Sequence, residues 1–299
     1  MKIAVLGAGS IGSRHIKNLT ELGHNVEVYD PTHFTASTRG EVLHFTAPTR
    51  DEVLDEIIPN SDAVIIATPT SNHVVDIYDC HMAGKPMFVE KPLVDSYTDW
   101  ISVPTDNIKM VGYNLRFHSC VKKVKEWMGE GRIGKPIWAQ FTCAQFNDRP
   151  EYLRDGVVLN WSHEIDLAVY LIGVAEFVAA AVTKKDDMAD IALRHEHTGC
   201  QTVVHLDYLT KPEKRGFWIT GEEGSICADL VQRTAWIKKD NKVVELYAGQ
   251  DNWNGNYLDE MRKFIDRLNG KEVIGCTAAE ALLVNGLCFQ AKGVALAGK

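Results

Sequence analysis

No stretch of this chain approaches the roughly 18 consecutive apolar residues that a membrane-spanning helix requires, so no bilayer-embedded role is expected. Its seven cysteines (Cys80, Cys120, Cys143, Cys200, Cys227, Cys276 and Cys288) are scattered, odd in number and free of any C-x-x-C pair. That pattern excludes a disulfide framework or a cysteine-built zinc site and predicts reduced, packed thiols in a cytoplasm, with no metal required. Positive charge is also in short supply: 32 Lys and Arg against 40 Asp and Glu leave a net charge of −8. The balance argues against nucleic acid or an anionic membrane as the main partner, although a small anionic ligand is still admissible. Internal repeats, low-complexity tracts and flexible linkers are missing too. The opening "MKIAVLGAGS" has an apolar run of only Ile3 to Leu6, too short for a secretory signal, and it reads as folded structure.

What is present is an ordinary globular composition, 45% hydrophobic and 24% charged over 299 residues, long enough for about two domains. Lys2 to Leu6 form a short apolar strand, followed by "GAGSIG" and by a segment with Ile11, Ile16, Leu19 and Leu22 at helical spacing. Strand, glycine turn and helix give G-x-G-x-x-G its physical meaning. Gly7 permits the tight turn, Gly9 lets the backbone approach a pyrophosphate, and Gly12 lets helix and strand pack closely. Ser10 and Ile11 sit at the helix N-terminus, whose free N–H groups suit phosphates. The next strand, "NVEVYD", ends in Asp30, eighteen residues after Gly12. A carboxylate there can accept hydrogen bonds from ribose hydroxyls and would repel a 2′-phosphate, which favours NAD over NADP.

The alternation continues through a helical "DEVLDEII", a buried strand "DAVIIATP", a helix closed by Gly84, then "KPMFVEKP" and the short strand "KMVGYN". Such a pattern predicts a parallel, doubly wound sheet with ligands at the carboxyl ends of its strands. Two polar motifs fall at such ends: "TPTSNH", with Thr68, Pro69, Asn72 and His73, and "EKP", with Glu90, Lys91 and Pro92. Alone, "EKP" reads as a solvated turn; at a strand end in this sheet it faces the cofactor crevice. Glu90 can pair with Lys91 or orient nearby groups, and the sequence does not choose between the two.

Beyond about Phe117 the character changes. One amphipathic helix, "SCVKKVKEWMGEG", precedes long alternating segments ("PIWAQFTCAQF", "EFVAAAVTK", "TVVHLDYL", "GFWITGEEGSICADL", "TAWIKK", "KVVELY") separated by turn signals, which predict a mostly antiparallel sheet. Two helices close the chain. The expectation is therefore an α/β Rossmann domain with a parallel sheet over residues 1–116. An α+β domain with a large, mainly antiparallel sheet would follow over 117–299, its last helix returning to the first domain. One uncovered apolar sheet face would invite a second copy of the chain, as a homodimer or homotetramer. In "GVVLNWSHEIDLAVYLIG" a helix is predicted from Ser162 onward. His163 and Asp166, three residues apart, share one helical face, where a carboxylate can fix an imidazole's tautomer and raise its basicity. An unrelated ion pair is the other reading of that spacing.

In ordered combination, "GAGSIGSRH", "TPTSNH", "EKPL", "GYNLRFH", "RIGKP", "SHEIDLAVYLIG" and "ITGEEGSICAD" resemble the Gfo/Idh/MocA oxidoreductases, the family of glucose–fructose oxidoreductase and inositol dehydrogenase. The resemblance spans nearly the whole chain. It implies NAD(P) over a Rossmann domain, a sugar-like substrate, and hydride transfer between the nicotinamide and a hydroxyl or keto carbon. Lys91 matches the lysine of the family's EKP motif and His163 the histidine assigned as acid/base. The chemistry agrees, since a neutral-range imidazole can accept the hydroxyl proton and an ammonium can stabilise developing alkoxide charge.

One position departs from the family pattern: where many relatives carry an aspartate three or four residues before the histidine, this chain has Leu159 and Asn160. Asn160 can hydrogen-bond a substrate hydroxyl but cannot relay a proton by ionising. Arg116, Arg149, Tyr152 and Arg154 are candidates to hold a substrate carboxylate or phosphate, and Tyr113 and Asn114 to line the nicotinamide pocket; each also reads as ordinary ion pairing or packing. Trp161 reads as core or pocket wall. The leading expectation is a dehydrogenase or reductase of a sugar, sugar acid or nucleotide-linked sugar. The alternatives are reduction of a non-sugar substrate, as in biliverdin reductase-like members, and a non-catalytic NAD-binding homologue.

Overall fold

The structure, a computed structural model, describes residues 1–30, 35–38, 41–44, 49–147, 156–250 and 252–297. The chain forms two compact units. The first comprises Met1–Asn114 with Trp253–Leu282, and the second Leu115–Asn252 with Leu283–Lys299. The first unit is thus discontinuous in sequence: a stretch of the second half, expected with the other domain, packs with it.

The first unit is built on β1 (Lys2–Leu6), α1 (Ser10–Glu21), β2 (Asn25–Tyr29), a hairpin of β3 (Thr35–Thr38) and β4 (Glu41–His44), and the one-turn α2 (Arg50–Glu52). It continues with β5 (Ala63–Ile66), α3 (Thr70–Met82), β6 (Met87–Glu90), α4 (Tyr97–Ser102) and β7 (Ile108–Gly112). The "DEVLDEII" segment, expected as one helix, runs from α2 into a wider π turn at Val53–Ile57. Five strands pair in parallel in the order β2-β1-β5-β6-β7. β5 and β6 are buried on both faces, as helices on both sides of a parallel sheet require. Order reverses at β1, whose neighbours are β2 and β5, so the sheet has its switch point at the carboxyl ends of β1 and β5.

The second unit continues with α5 (Ser119–Gly129), β8 (Pro136–Ala144), the short α6 (Val157–Asn160) and α7 (His163–Ile172). Then come β9 (Ala175–Val182), β10 (Met188–His195), β11 (Gln201–Asp207), β12 (Lys214–Gly221), β13 (Gly224–Asp229), β14 (Thr234–Lys239) and β15 (Lys242–Ala248). The eight strands order as β15-β14-β13-β12-β8-β11-β10-β9, antiparallel except for β8 against β11. One face, with Phe141 and Phe217 stacked at 5.2 Å, is covered by α5 and α7. The other carries Trp138, Trp218 and Leu246, all exposed. The sequence reading does not single out β10, whose buried alternation is Ala189, Ile191 and Leu193. The closing helices are α8 (Trp253–Leu268) and α9 (Ala278–Ala297). α8 packs on α1 and β7, with Phe264 edge-on to Phe88 at 5.6 Å. Among the described residues no helix is long and apolar enough to cross a membrane.

Candidate active site

At the switch point the backbone itself makes a cradle. Gly7 takes φ +90°, and a side chain there would meet the Ala67 carbonyl oxygen at 2.5 Å. A Cβ on Gly12 would run into the Gly7 carbonyl, so close helix–strand packing demands glycine. Over Gly9, by contrast, a Cβ would meet nothing within 4 Å: the space above it is open. That space is a cavity of about 710 Å³ lined by Gly7, Gly9, Ser10, Ile11, Asp30 and Thr68, among others. Gly9 caps α1 without a side-chain hydrogen bond, leaving the first-turn N–H groups for an anion.

Asp30 stands on the rim. Its Oδ2 accepts from the Ala8 N–H at 2.6 Å, while the Gly7 N–H donates to the Tyr29 carbonyl at 2.7 Å. The tip of β2 is therefore tied to the glycine turn, and the carboxylate is held at the cavity. Pro69 and Asn72 line the same cavity. An open volume above Gly9, uncapped helix N–H groups and a fixed carboxylate are the features a dinucleotide needs, so the residues present fit one.

Arg50, Asp76 and Asp79 were not singled out in the sequence. Arg50 and Asp76 line the cavity; Arg50 donates to Asp76 Oδ1 at 2.7 Å and pairs with Asp79. Burial works against the Arg50 charge, but the two carboxylates outweigh it and raise its pKa. Thr68 Oγ1 donates to the other Asp76 oxygen at 2.6 Å. Nothing in the local sequence around Arg50 signals this, because its partners lie a helix and a strand away.

His73 is buried beneath the cavity rather than lining it. Its Nδ1 lies 3.0 Å from the Pro92 carbonyl oxygen and its Nε2 3.0 Å from that of Thr68, so it links the two polar motifs. Glu90, the last residue of β6, is 9% exposed. Its Oε1 lies 2.6 Å from His15 Nε2 and its Oε2 accepts from the Lys91 N–H at 3.2 Å. Lys91 itself is half-buried.

In the second unit, His163 opens α7 and is buried. Asp166 on the same helix carries the Arg116 guanidinium, with Nη2 at 2.6 Å from Oδ1 and Nε at 3.0 Å from Oδ2. Arg116 also lies over the Tyr170 ring at 4.7 Å and is 1% exposed. This candidate substrate ligand is thus committed to a buried ion pair. Asn160 donates from Nδ2 to the Tyr208 hydroxyl at 2.8 Å, and the Tyr208 ring meets Trp161 edge-on at 4.6 Å. Tyr208 was missed because it arrives from β11, far along the chain. A second buried ion pair joins Glu164 to Arg215 at 2.7 Å. Tyr113 and Asn114 are buried. Arg149, Tyr152 and Arg154 lie outside the described residues.

Comparison with known proteins agrees with this construction. Residues 1–105 match the oxidoreductase family's NAD-binding Rossmann-fold domain, and residues 121–227 match the GFO/IDH/MocA C-terminal domain. The chain is 26% identical to myo-inositol 2-dehydrogenase of Thermotoga maritima over 98% of its own length and 95% of that protein. It is 35% identical to scyllo-inositol 2-dehydrogenase (NAD(+)) of Bacillus subtilis over 58% of its length and 54% of that protein. An oxidoreductase of Agrobacterium radiobacter, solved with NAD+, L-tartaric acid and magnesium, superposes with TM-score 0.83 at 19% identity, covering 100% of this chain and 97% of the other. The fold and cradle define an NAD-binding oxidoreductase. The chain belongs to the Gfo/Idh/MocA oxidoreductase family.

Proposed function

We propose that this enzyme is an NAD-dependent dehydrogenase of a secondary hydroxyl on a cyclic polyol, sugar or sugar derivative, with Lys91 and His163 as its proton-transfer groups. The observation that carries the reading is the carboxyl edge of the parallel sheet. There the open cradle above Gly9, the rim carboxylate of Asp30 and Lys91 at the end of β6 all emerge from one layer of strand ends. Near-full-length similarity to a myo-inositol 2-dehydrogenase supports the substrate class.

A bound nicotinamide would supply the hydride acceptor. The Lys91 ammonium hydrogen-bonds the reacting hydroxyl and stabilises the alkoxide charge that develops on it. The His163 imidazole accepts the hydroxyl proton, and in the reverse direction returns it. Asn160, backed by Tyr208, offers a neutral contact to a neighbouring hydroxyl in place of an acidic relay. His73 serves the site by fixing the "EKP" loop. NAD is favoured over NADP because Asp30 stands where a 2′-phosphate would have to lie. The exposed sheet face with Trp138, Trp218 and Leu246 joins two copies of the chain in a homodimer or homotetramer. Seven buried cysteines with no disulfide among the described residues suit a reducing cytoplasm.

The test is NADH formation with NAD+ and NADP+ against myo-inositol, scyllo-inositol, a panel of sugars and sugar acids, and a tetrapyrrole. Turnover of at least one polyol or sugar with NAD+ is expected. Lys91→Ala abolishes that turnover while sparing NAD binding, and His163→Ala flattens the pH–rate profile. Near-normal turnover in Lys91→Ala would sink the assignment, and reduction of the tetrapyrrole alone would move the enzyme to the other branch.

A further inference from the structure

Glu90 ends a strand that is buried throughout, and burying an unpaired carboxylate would cost several kcal/mol, so it needs partners. Strand alternation puts Phe88 and Glu90 on one face of β6, and that face meets α1. His15 lies one turn beyond Gly12 on the buried side of α1 and is itself 0% exposed. Its ring meets Phe88 edge-on at 5.2 Å, which aims Nε2 at Glu90 Oε1, 2.6 Å away. Nδ1 has no hydrogen-bond partner among the described residues, so the proton belongs on Nε2, donated to Glu90.

The second Glu90 oxygen turns back to the Lys91 N–H. Room for that turn comes from β7, where Gly112 is the register partner of Glu90. A Cβ on Gly112 would come within 2.7 Å of Glu90 Oε2. Beyond Lys91, the Pro92 carbonyl is bonded to His73. The main chain on both sides of Lys91 is therefore clamped, by His73 downstream and by the Glu90 side chain upstream.

We propose that His15 is a positioning residue for the reaction: acting through Glu90, it sets where the Lys91 side chain leaves the sheet. The helix that opens the dinucleotide cradle and the lysine at the reacting centre are thereby coupled through one buried imidazole–carboxylate contact. The inference rests on the role of Lys91 given under Proposed function.

The test compares His15→Leu, His15→Gln, Glu90→Ala and Lys91→Ala in the full chain, each checked for native circular dichroism. Steady-state rates are measured with NAD+ and the best polyol or sugar of the panel. In His15→Leu and Glu90→Ala, kcat should fall by about tenfold or more while the KM for NAD+ changes by less than about threefold, the pattern of a lost transition-state contact. Glutamine can place an amide N–H near the position of Nε2, so His15→Gln should recover most of the rate. A readout that needs no substrate is the acylation rate of Lys91 by acetic anhydride, followed by mass spectrometry. It should shift in His15→Leu and Glu90→Ala and return in His15→Gln.

Unchanged kcat and unchanged Lys91 acylation in the first two variants would overturn the inference. So would a fall in NAD+ affinity matching the fall in rate, or a His15→Gln enzyme as slow as His15→Leu. If Lys91→Ala retains turnover, the fault lies in the reading of Lys91. If it is dead while His15→Leu and Glu90→Ala run normally, only the positioning role fails.

Discussion

Arg116 and Asp166 form a two-pronged ion pair, Nη2 to Oδ1 at 2.6 Å and Nε to Oδ2 at 3.0 Å, with both side chains almost wholly buried. The pair ties the short helical turn after Asn114 to α7, the helix that His163 opens. Removing one partner leaves an uncompensated buried charge. Asp166→Ala should therefore lose about 3–5 kcal/mol of stability, while an Arg116→Met/Asp166→Leu double variant recovers much of it. Chemical denaturation monitored by tryptophan fluorescence checks this; a loss below about 1 kcal/mol for Asp166→Ala would show that the pair carries little.

Gly12 and Gly9 should respond to alanine in opposite ways. A Cβ at position 12 collides with the Gly7 carbonyl, so Gly12→Ala costs about 1–3 kcal/mol and abolishes NAD binding. At position 9 the Cβ meets nothing. Gly9→Ala should keep stability within about 0.5 kcal/mol yet weaken NAD+ binding, because the methyl enters the cavity. Thermal melts with and without NAD+ separate the two.

Asp30 both faces the cavity and accepts the Ala8 N–H. Asp30→Ala should lower NAD+ affinity and raise relative NADP+ usage, together narrowing the preference by about tenfold or more. The ratio of kcat/KM values for the two cofactors measures it. A native enzyme that already prefers NADP+ would contradict the reading of Asp30.

His205 on β11 bonds Asp190 through Nδ1 at 2.7 Å and Asp207 through Nε2 at 3.0 Å. Burial opposes its charge, but the two carboxylates win and raise its pKa above the ordinary 6.5. A raised folded-state pKa means that the native state binds the proton more tightly than the unfolded chain. The stabilisation is full below about pH 6.5 and is lost as pH rises through the raised value. Unfolding free energies of the native protein and His205→Gln should converge on the alkaline side and differ by up to about 1 kcal/mol on the acid side. A difference that grows with pH would refute this.

Much of the Rossmann half was legible in the sequence, because its signals are local. The glycine turn, the helix behind it and the acidic strand tip lie within thirty residues, and each is constrained by backbone sterics that any one-dimensional reading can apply. The second half was legible in kind but not in order. Period-two alternation shows that strands exist, yet β8 pairing in parallel with β11 and antiparallel with β12 depends on a crossover that alternation does not encode.

The site divided along the same line. Asp30 and Thr68, which line the cavity, were legible because strand ends in a parallel sheet are where ligands bind. The spacing put His163 and Asp166 on one helical face but gave no sign that the Asp166 carboxylate also carries Arg116, fifty positions away in sequence. Spacing shows which residues share a face without showing which neighbour reaches that face first. Arg50, Tyr208 and the His15–Glu90 contact were invisible for the same reason.

By itself, then, the sequence determined the class of fold, the place of the dinucleotide cradle and the lysine at the end of β6. These follow from short-range rules: which residues tolerate a positive φ, which patterns bury one face, which strand ends meet solvent. Only the tertiary structure decided what each buried charge is paired with. Burial makes an unpaired carboxylate or guanidinium too costly to keep, and the partner that relieves that cost is whichever side chain the fold brings within about 3 Å, however distant in sequence.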